Sequence, residues 1–459
     1  MMKTVTAVFD IGKTNKKFFL FDKNFKEVHK EYISFEEICD EDGHPTENLP
    51  ELQKWLKNVF HSILESKKFN VKAINFSTYG ASLVHLDASG TPVTPLYNYT
   101  KPLPEHVRTS FFKKYGPREQ FLSTTGCADL GMLNSGIQLY WLKQTKPEVF
   151  HRIKYALHLP QYLSYIFTGI PLTEYTSIGC HTALWDYSKK DYHEWVYKEQ
   201  LNKILPPIVS AETSTNMNYN GKRIRIGVGI HDSSAALLPY VRSIKKKFIL
   251  VSTGTWSIVF NPFIENALPS NKDHKDTINY MRISGKPVKA TRLFLGNEYK
   301  IQVAKLDKHF GVKDSYHRSI KFDYDIYFEL IQDFEYCFKW DSLEDNNMPA
   351  KTYFSYDKYE HAYHQLMIEL VLLQVKCIKE ALGDNNIAHI YIDGGFSDND
   401  IYIKLLSHYF RDKRLSTTNA SLGSALGAAM AISDTKLNSK FLKENYALKK
   451  HVPFIVKVL

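Results

Sequence analysis

Residues 4–22, TVTAVFDIGKTNKKFFLFD, constrain this chain more than any other stretch. Two runs rich in Val, Ile and Phe flank a short polar connection, so they read as strands folded back on a tight turn. The turn contains "GKT", which looks like the tail of a P-loop, G-x-x-x-x-G-K-[ST]. Its flanks exclude that reading. The first glycine would fall on Ala7, inside a strand. A P-loop must also run into a helix whose N-terminal amides hold phosphate, whereas "KKFFLF" has strand character. What remains is a turn with Asp10 before it, Gly12 free to take positive φ, and the side chains of Thr14 and Asn15 within it. Such a turn can aim backbone N–H groups at a phosphate. Taken alone, it can equally be an ordinary hairpin with an Asp at its start.

The turn recurs. "FILVSTGTWSIVFNP", residues 248–262, reads as two short strands around a Gly-Thr turn. "AHIYIDGGF" is an alternating strand that ends in paired glycines, and "SLGSALGAAMAI" is a helix of small residues able to pack closely. In the first half, Leu52, Trp55, Leu56, Val59, Phe60, Ile63 and Leu64 mark a helix over 50–67, followed by the strand "VKAINFSTYG". Residues 103–220 are mostly helical pattern and loop. Near 222 the character resets, with the strand "KRIRIGVGI" and then a helix from "HDSSAALLPYV"; 358–382 is a long helix. Each half thus opens with strand, turn, strand, a loose internal repeat. For 459 residues two domains are expected, and "VRSIKKK" sets them at 1–243 and 244–459.

Composition excludes several classes. No apolar run approaches the roughly 18 residues of a membrane span, and the N-terminus is a poor signal peptide. Cys39, Cys127, Cys180, Cys337 and Cys377 are odd in number and form no C-x-x-C pair. They read as reduced thiols of a cytoplasmic protein, not as a zinc site. The net charge of +10 would attract anions, but lysine runs such as Lys245-Lys246-Lys247 lack interleaved aromatics and glycines, so no nucleic-acid partner is expected. The short apolar stretches mark no oligomer interface.

With these motifs in order, the chain resembles the FGGY carbohydrate kinases. "DIGKTN" is similar to the family's first phosphate motif, D-x-G-T-T-S, and "STGTWS" to its second. "GGFSDN" followed by "NASLGSALGAAM" is similar to the adenosine region, and "LPQYLSYIFTG" with "TEYTSIGCHTALWD" to the segment ending in leucine-threonine-glycine. The resemblance covers nearly the whole chain. It implies an α/β fold of two actin-like (ribonuclease H-like) ATPase domains around a central cleft, with ATP and Mg²⁺ as cofactors. It further implies that Asp10 holds the metal, that Thr14, Asn15 and Lys17 meet the transferred phosphate, and that Gly254 and Thr255 contact the other phosphates. Gly394, Gly395 and Asn399 would hold the adenosine. Lys17 stands where the family often has Arg, keeping charge but losing the bidentate fork. Lys13 replaces a family Thr; it is either a phosphate ligand or a solvated turn lysine.

The resemblance assigns the catalytic base to Asp232, which also suits a helix N-cap before "SSAALL". "HDSSAA" ahead of "STGTWS" is most similar to kinases of 6-deoxy-ketohexoses, L-rhamnulose and L-fuculose, with His231 and Asp232 at the sugar. Tyr79, Gly80, Ala81 and Ser82 stand in the sugar-binding segment, as does Tyr99. Ser82 and Tyr99 replace family carboxylates, which weakens the transfer of substrate identity. Tyr79 and Tyr99 either stack on a sugar face or pack. The alternatives are a pentulose (xylulose or ribulose) kinase, an idle sugar- or nucleotide-binding relative, and an actin-like filament or chaperone ATPase. The FGGY-type adenosine loop argues against the last.

Overall fold

Strand β1 (Lys3–Ile11) lies at the centre of the first sheet and is buried along most of its length. In the computed structural model, which describes residues 2–265, 277–343, 349, 351–420, 422–438 and 440–454, β1 pairs antiparallel with β2 (Lys16–Asp22). β2 in turn pairs with β3 (Glu27–Ile33), completing a meander. The helix α1 (Leu49–Glu65) follows. Asn48 caps it by accepting the Glu51 amide, Pro50 sits in its first turn, and Leu52, Leu56, Phe60, Ile63 and Leu64 form its buried face. On the other side of β1 the chain adds β4 (Phe69–Thr78), parallel to it.

A hairpin, β5 (Ser214–Tyr219) and β6 (Lys222–Gly227), extends the sheet, with β6 parallel to β4. The short β7 (Ile230–His231) also pairs with β4 and leads into α2 (Asp232–Ser243). The order is β5-β6-β4-β1-β2-β3. The sequence placed 214–219 among helices and loops. It is a strand because Asn220 and Gly221, both at positive φ, close a tight turn onto β6. "STNMNY" is polar because it is an edge strand, and only Met217 and Tyr219 pack on the core.

The second sheet repeats this design. β8 (Phe248–Thr253) is antiparallel to β9 (Ser257–Asn261). Beyond β9 lie β10 (Thr277–Met281) and β11 (Pro287–Leu293), and then the helices α3 (Leu295–Phe310) and α4 (Tyr359–Leu382). β12 (His389–Gly394) runs parallel to β8 and is followed by α5 (Asp400–Tyr409). β13 (Arg414–Thr417) is parallel to β12, and β14 (Lys449–His451) is antiparallel to β13. The order is β10-β11-β9-β8-β12-β13-β14. α4, with Leu366, Leu370, Val371 and Ile378 fully buried, runs through the core of this half.

The chain falls into two compact units: Met1–Ser243 with Ile264–Lys289 and Leu422–Asn438, and Ile244–Phe263 with Ala290–Ser421 and Ser439–Leu459. Helix α6 (Gly423–Ala431) therefore counts with the first unit; Ser421, just before it, lies outside the described residues. Its small residues let it meet α2 backbone to backbone. A Cβ on Gly427 would lie 1.8 Å from the Ala235 carbonyl oxygen. The Asn75 amide donates to the Ala428 carbonyl at 2.8 Å, and the Arg242 guanidinium donates to the Met430 carbonyl. Elsewhere in this unit, buried Glu199 accepts Lys114 and Lys143, each at 2.6 Å, and the Tyr115 hydroxyl. Burial alone would raise its pKa, but these donors outweigh it and hold the carboxyl down at about 2.

Gly427→Ala is expected to cost about 3 kcal/mol, because the obstructing atom is backbone and cannot turn aside; urea unfolding measures this, and an unchanged midpoint would contradict the packing. Glu199→Gln is expected to cost about 2 kcal/mol near neutral pH, since it removes hydrogen bonds to a charged acceptor. Because the folded pKa lies below the ordinary 4.5, the stabilisation is complete above that value and lost as pH falls towards 2. Unfolding curves of wild type and variant should therefore converge over that interval, and a constant gap would contradict the assignment.

Candidate functional site

In the first unit the site grows from the end of β1. Asp10 is the second-last residue of that strand, opposite Lys17 on β2 and Ser77 on β4. The Asp10 side chain is 9% exposed. Its Oδ2 accepts the Ser424 hydroxyl at 3.0 Å, and the Lys17 ammonium lies 3.9 Å away. Burial pushes its pKa up to about 6; Lys17 pulls it back, and the charge of Asp232 pushes it further. Asp232 opens α2, where its Oδ1 accepts the Ser233 amide at 2.5 Å and hydroxyl at 3.1 Å. Burial raises Asp232 to about 6 as well. A carboxylate on the central strand and another on the helix after β7 thus belong to one electrostatic site. The turn between β1 and β2 closes with the Gly12 amide donating to the Asn15 carbonyl at 3.0 Å, leaving Thr14 and Asn15 exposed. Lys13 pairs with Glu37 at 2.5 Å, so its charge is already matched within the protein.

The residues after β4 divide. Tyr79 is buried; its hydroxyl donates to Glu47 Oε2 at 3.4 Å, and its ring meets that of Tyr99 edge-on at 6.0 Å. Tyr99 in turn feels the charge of Asp232, which adds to burial in raising its pKa. Gly80 lies against the Cys180 thiol and the His231 ring. Ala81 and Ser82 are buried, and their carbonyls accept the Gln138 side chain at 2.7 Å and the Leu159 amide at 3.1 Å. His231 is buried, stacks on Tyr280 at 5.6 Å, and places Nε2 3.2 Å from Asp232 Oδ1. Burial lowers its pKa to about 3, so the ring is neutral.

Three participants escaped the sequence reading. Ser424, inside the small-residue helix, binds Asp10. Lys16 is fully buried and holds Glu47 at 2.8 Å and the Lys13 carbonyl at 3.0 Å. The signal for it was present: Lys16 shares a strand face with the inward Phe18 and Leu20, and a lysine there demands a partner. Cys180 lies between the His181 and His231 rings. It was counted only as a free thiol.

In the second unit the turn after β8 docks on the start of α3. The Gly254 amide donates to the Trp256 carbonyl at 2.8 Å, while the Gly296 and Asn297 amides donate to the Thr255 carbonyl at 3.1 and 3.2 Å. Gly394, at the end of β12, has φ +89° and lies so close to the Thr253 carbonyl that a Cβ would stand 1.9 Å from it. Gly395 and Asn399 line a cleft of about 460 Å³ together with Tyr299, Tyr363, His317 and Arg318. Asn399 caps α5 by accepting the Tyr402 amide, and its side-chain amide donates to the Tyr363 hydroxyl at 3.0 Å.

The donor chemistry around Asp10 fits Mg²⁺. Two carboxylates raised by burial leave negative charge that Lys17 does not cancel, and hard oxygen donors suit that ion. Among the described residues no three or more Asp, Glu, His or Cys side chains are placed so that they could together hold a metal ion. Among the described residues no helix is long and apolar enough to cross a membrane.

The chain is similar to several known proteins. The chain is 24% identical over 274 residues to a rhamnulokinase of Halalkalibacterium halodurans, a match covering 57% of this chain and 56% of that one. The chain spans about half the length of the curated relatives it matches. Over 98% of its length it superposes on a carbohydrate kinase from Novosphingobium aromaticivorans, with TM-score 0.81, 22% identity and 97% of that chain covered. It superposes equally widely on a xylulose kinase from Lactobacillus acidophilus, with TM-score 0.72, 15% identity and 94% of that chain covered. These structures share its fold, the two-domain actin-like ATPase fold. The profile of the N-terminal domain of the FGGY family of carbohydrate kinases matches residues 5–237, just over half of the chain, from β1 through Asp232. The chain belongs to the FGGY family of carbohydrate kinases.

Proposed function

We propose that this chain is an ATP-dependent carbohydrate kinase that transfers the γ-phosphate to a hydroxyl of a ketose, a 6-deoxy-ketohexose such as L-rhamnulose or L-fuculose. The observation that carries the reading is the pair of carboxylates set at the end of the first sheet, Asp10 buried and Asp232 partly buried, each raised to about 6 by loss of solvation. Asp232 acts as general base. A carboxylate raised towards neutrality takes a hydroxyl proton more readily than an ordinary one, yet is still largely ionised at pH 7. It removes the proton from the sugar hydroxyl as that oxygen attacks the γ-phosphorus. Asp10 would hold Mg²⁺, which supplies charge neutralisation to the phosphates. Thr14, Asn15 and Lys17 meet the transferred phosphate, and Gly254 and Thr255 the remaining ones. Gly394, Gly395 and Asn399 hold the adenosine end, where the Tyr299 and Tyr363 rings offer an apolar wall.

Residues 1–243 then carry sugar recognition and the base, and 244–459 the second phosphate turn and the adenosine site. Of the sugar residues, His231 and Tyr99 face the charge of Asp232, Gly80 lies against His231, and Tyr79 meets Tyr99. The rhamnulokinase similarity favours the 6-deoxy-ketohexose. The xylulose kinase neighbour supports a pentulose as the second reading. A cytoplasmic location belongs to the same reading, supported by five free cysteines.

One experiment tests both activity and substrate. A coupled assay of ATP turnover over ketoses, polyols and aldoses should give its strongest response with L-rhamnulose or L-fuculose. With that sugar, Asp232→Asn is expected to lower kcat by roughly 10²–10⁴-fold while ATP still binds. Wild-type turnover by the variant would remove Asp232 from the role of base. Silence of the wild type with every sugar would instead favour an idle sugar-binding relative.

A further inference from the structure

Behind Asp232 lies a row of closely spaced polar side chains: hydrogen bonds join His181, Cys180 and His231, and His231 Nε2 then faces the carboxylate. It begins at the Leu133 carbonyl, which can only accept. His181 Nδ1 lies 3.1 Å from that oxygen and so carries the proton. In the Nδ1–H tautomer of His181, Nε2 is an acceptor that faces the Cys180 thiol at 3.2 Å, and the thiol donates to it. With its own hydrogen so directed, the Cys180 sulfur is left as an acceptor towards His231 Nε2, 3.1 Å away. At the far end the ionised Asp232 carboxylate also only accepts, and it too faces His231 Nε2, at 3.2 Å. Both neighbours of that nitrogen therefore require a proton on it. His231 Nδ1 is buried and, among the described residues, without a hydrogen-bond partner. Nothing there competes for the proton.

We propose that Cys180 and His181 are positioning residues that hold His231 in its Nε2–H tautomer, so that a polar N–H and not a lone pair faces Asp232 and favours its ionised carboxylate beside the substrate hydroxyl. The proposal rests on the reading of Asp232 as base. The ring cannot rotate away, because Tyr280 covers one face in a parallel stack with an interplanar angle of 15°. Gly80 leaves the space that thiol and imidazole fill; a Cβ there would come within 2.8 Å of the sulfur. The thiol itself is inert. It is fully buried, and burial raises its pKa well above the ordinary value, so it serves as a neutral donor and not as a nucleophile. Its place in the row follows from being able to donate on one side and accept on the other, with a sulfur long enough to span two rings.

The test uses the full chain. Two-bond ¹H–¹⁵N spectra of histidine-labelled wild-type protein distinguish the tautomers, and the His231 pattern should be that of Nε2–H; an Nδ1–H pattern overturns the proposal without any variant. Cys180→Ser keeps a donor and an acceptor and should hold kcat within about twofold of wild type. Cys180→Ala removes both and should lower kcat on the order of 10-fold, as loss of an orienting hydrogen bond does, with the KM for ATP unchanged. Equal kcat in both variants, whether at the wild-type level or equally reduced, overturns the relay. Asp232→Asn measured alongside separates the two ideas. If it is inactive while Cys180→Ala matches wild type, only the relay falls. If it remains active, the base assignment itself falls.

Discussion

The site depends on one register. β1 lies between β2 and β4 so that Asp10 is opposite Lys17 on one side and Ser77 on the other. A residue earlier or later on the strand would point to the opposite face. Because β1 is central and covered on both faces, a carboxylate near its end is buried by the same packing that makes the strand stable. The cost of that burial appears as the raised pKa of Asp10, and the partners it acquires, Lys17 and Ser424, are the groups that lower it again. Asp232, brought in by β7 beside β4, adds a second carboxylate instead of a cation. The fold therefore concentrates negative charge where a divalent ion and a proton acceptor are both useful.

In the second sheet the second-last residue of the matching strand is Ser252, opposite Ile258 on β9 and Asp393 on β12. Thr253 ends β8 opposite Ser257 and Gly394. Its hydroxyl donates to the Asp393 carbonyl at 2.6 Å and accepts the Phe396 amide at 3.0 Å, so it is consumed in fixing the glycine turn. One copy of the repeat offers side-chain chemistry, and the other offers shaped backbone. This division suits phosphoryl transfer, in which positioning and electrostatics count for more than covalent chemistry. The cleft beside Gly395 follows the same logic: Asn399 is committed to capping α5 and to Tyr363, so what it presents is an oriented wall.

The framework was legible because its signals are local. The strand–turn–strand of 4–22 shows in the hydrophobic pattern, the helix of 49–65 in its spacing, and the small-residue helix of 423–431 in composition alone. Less of the site was legible, because its contacts join distant segments. Ser424 reaches Asp10 across 414 positions, and no local pattern announces that contact. The strand 214–219 was missed because its outward face is polar and only Met217 and Tyr219 mark the inward one. Lys13 drew attention through a false P-loop, yet it forms a surface pair with Glu37. Its neighbour Lys16 was passed over, although it lies on the inward face.

Lys16 also shows what a buried ion pair can do here. Two charges taken from water gain little net stability over a well-packed apolar pair. This pair is not placed as a stabiliser of hydrophobic core. Its ammonium holds the Lys13 carbonyl of the turn after β1, and its carboxylate partner, Glu47, accepts the Tyr79 hydroxyl from the loop after β4. Two apolar side chains of the same volume would fill the space and leave both connections unmade. The pair thus ties the turn after β1 to the loop after β4 through groups that cannot slide past one another, since each is desolvated and must keep its partner. In this half of the molecule the polar interior sets geometry, and the apolar core of strands and helices makes that expense tolerable.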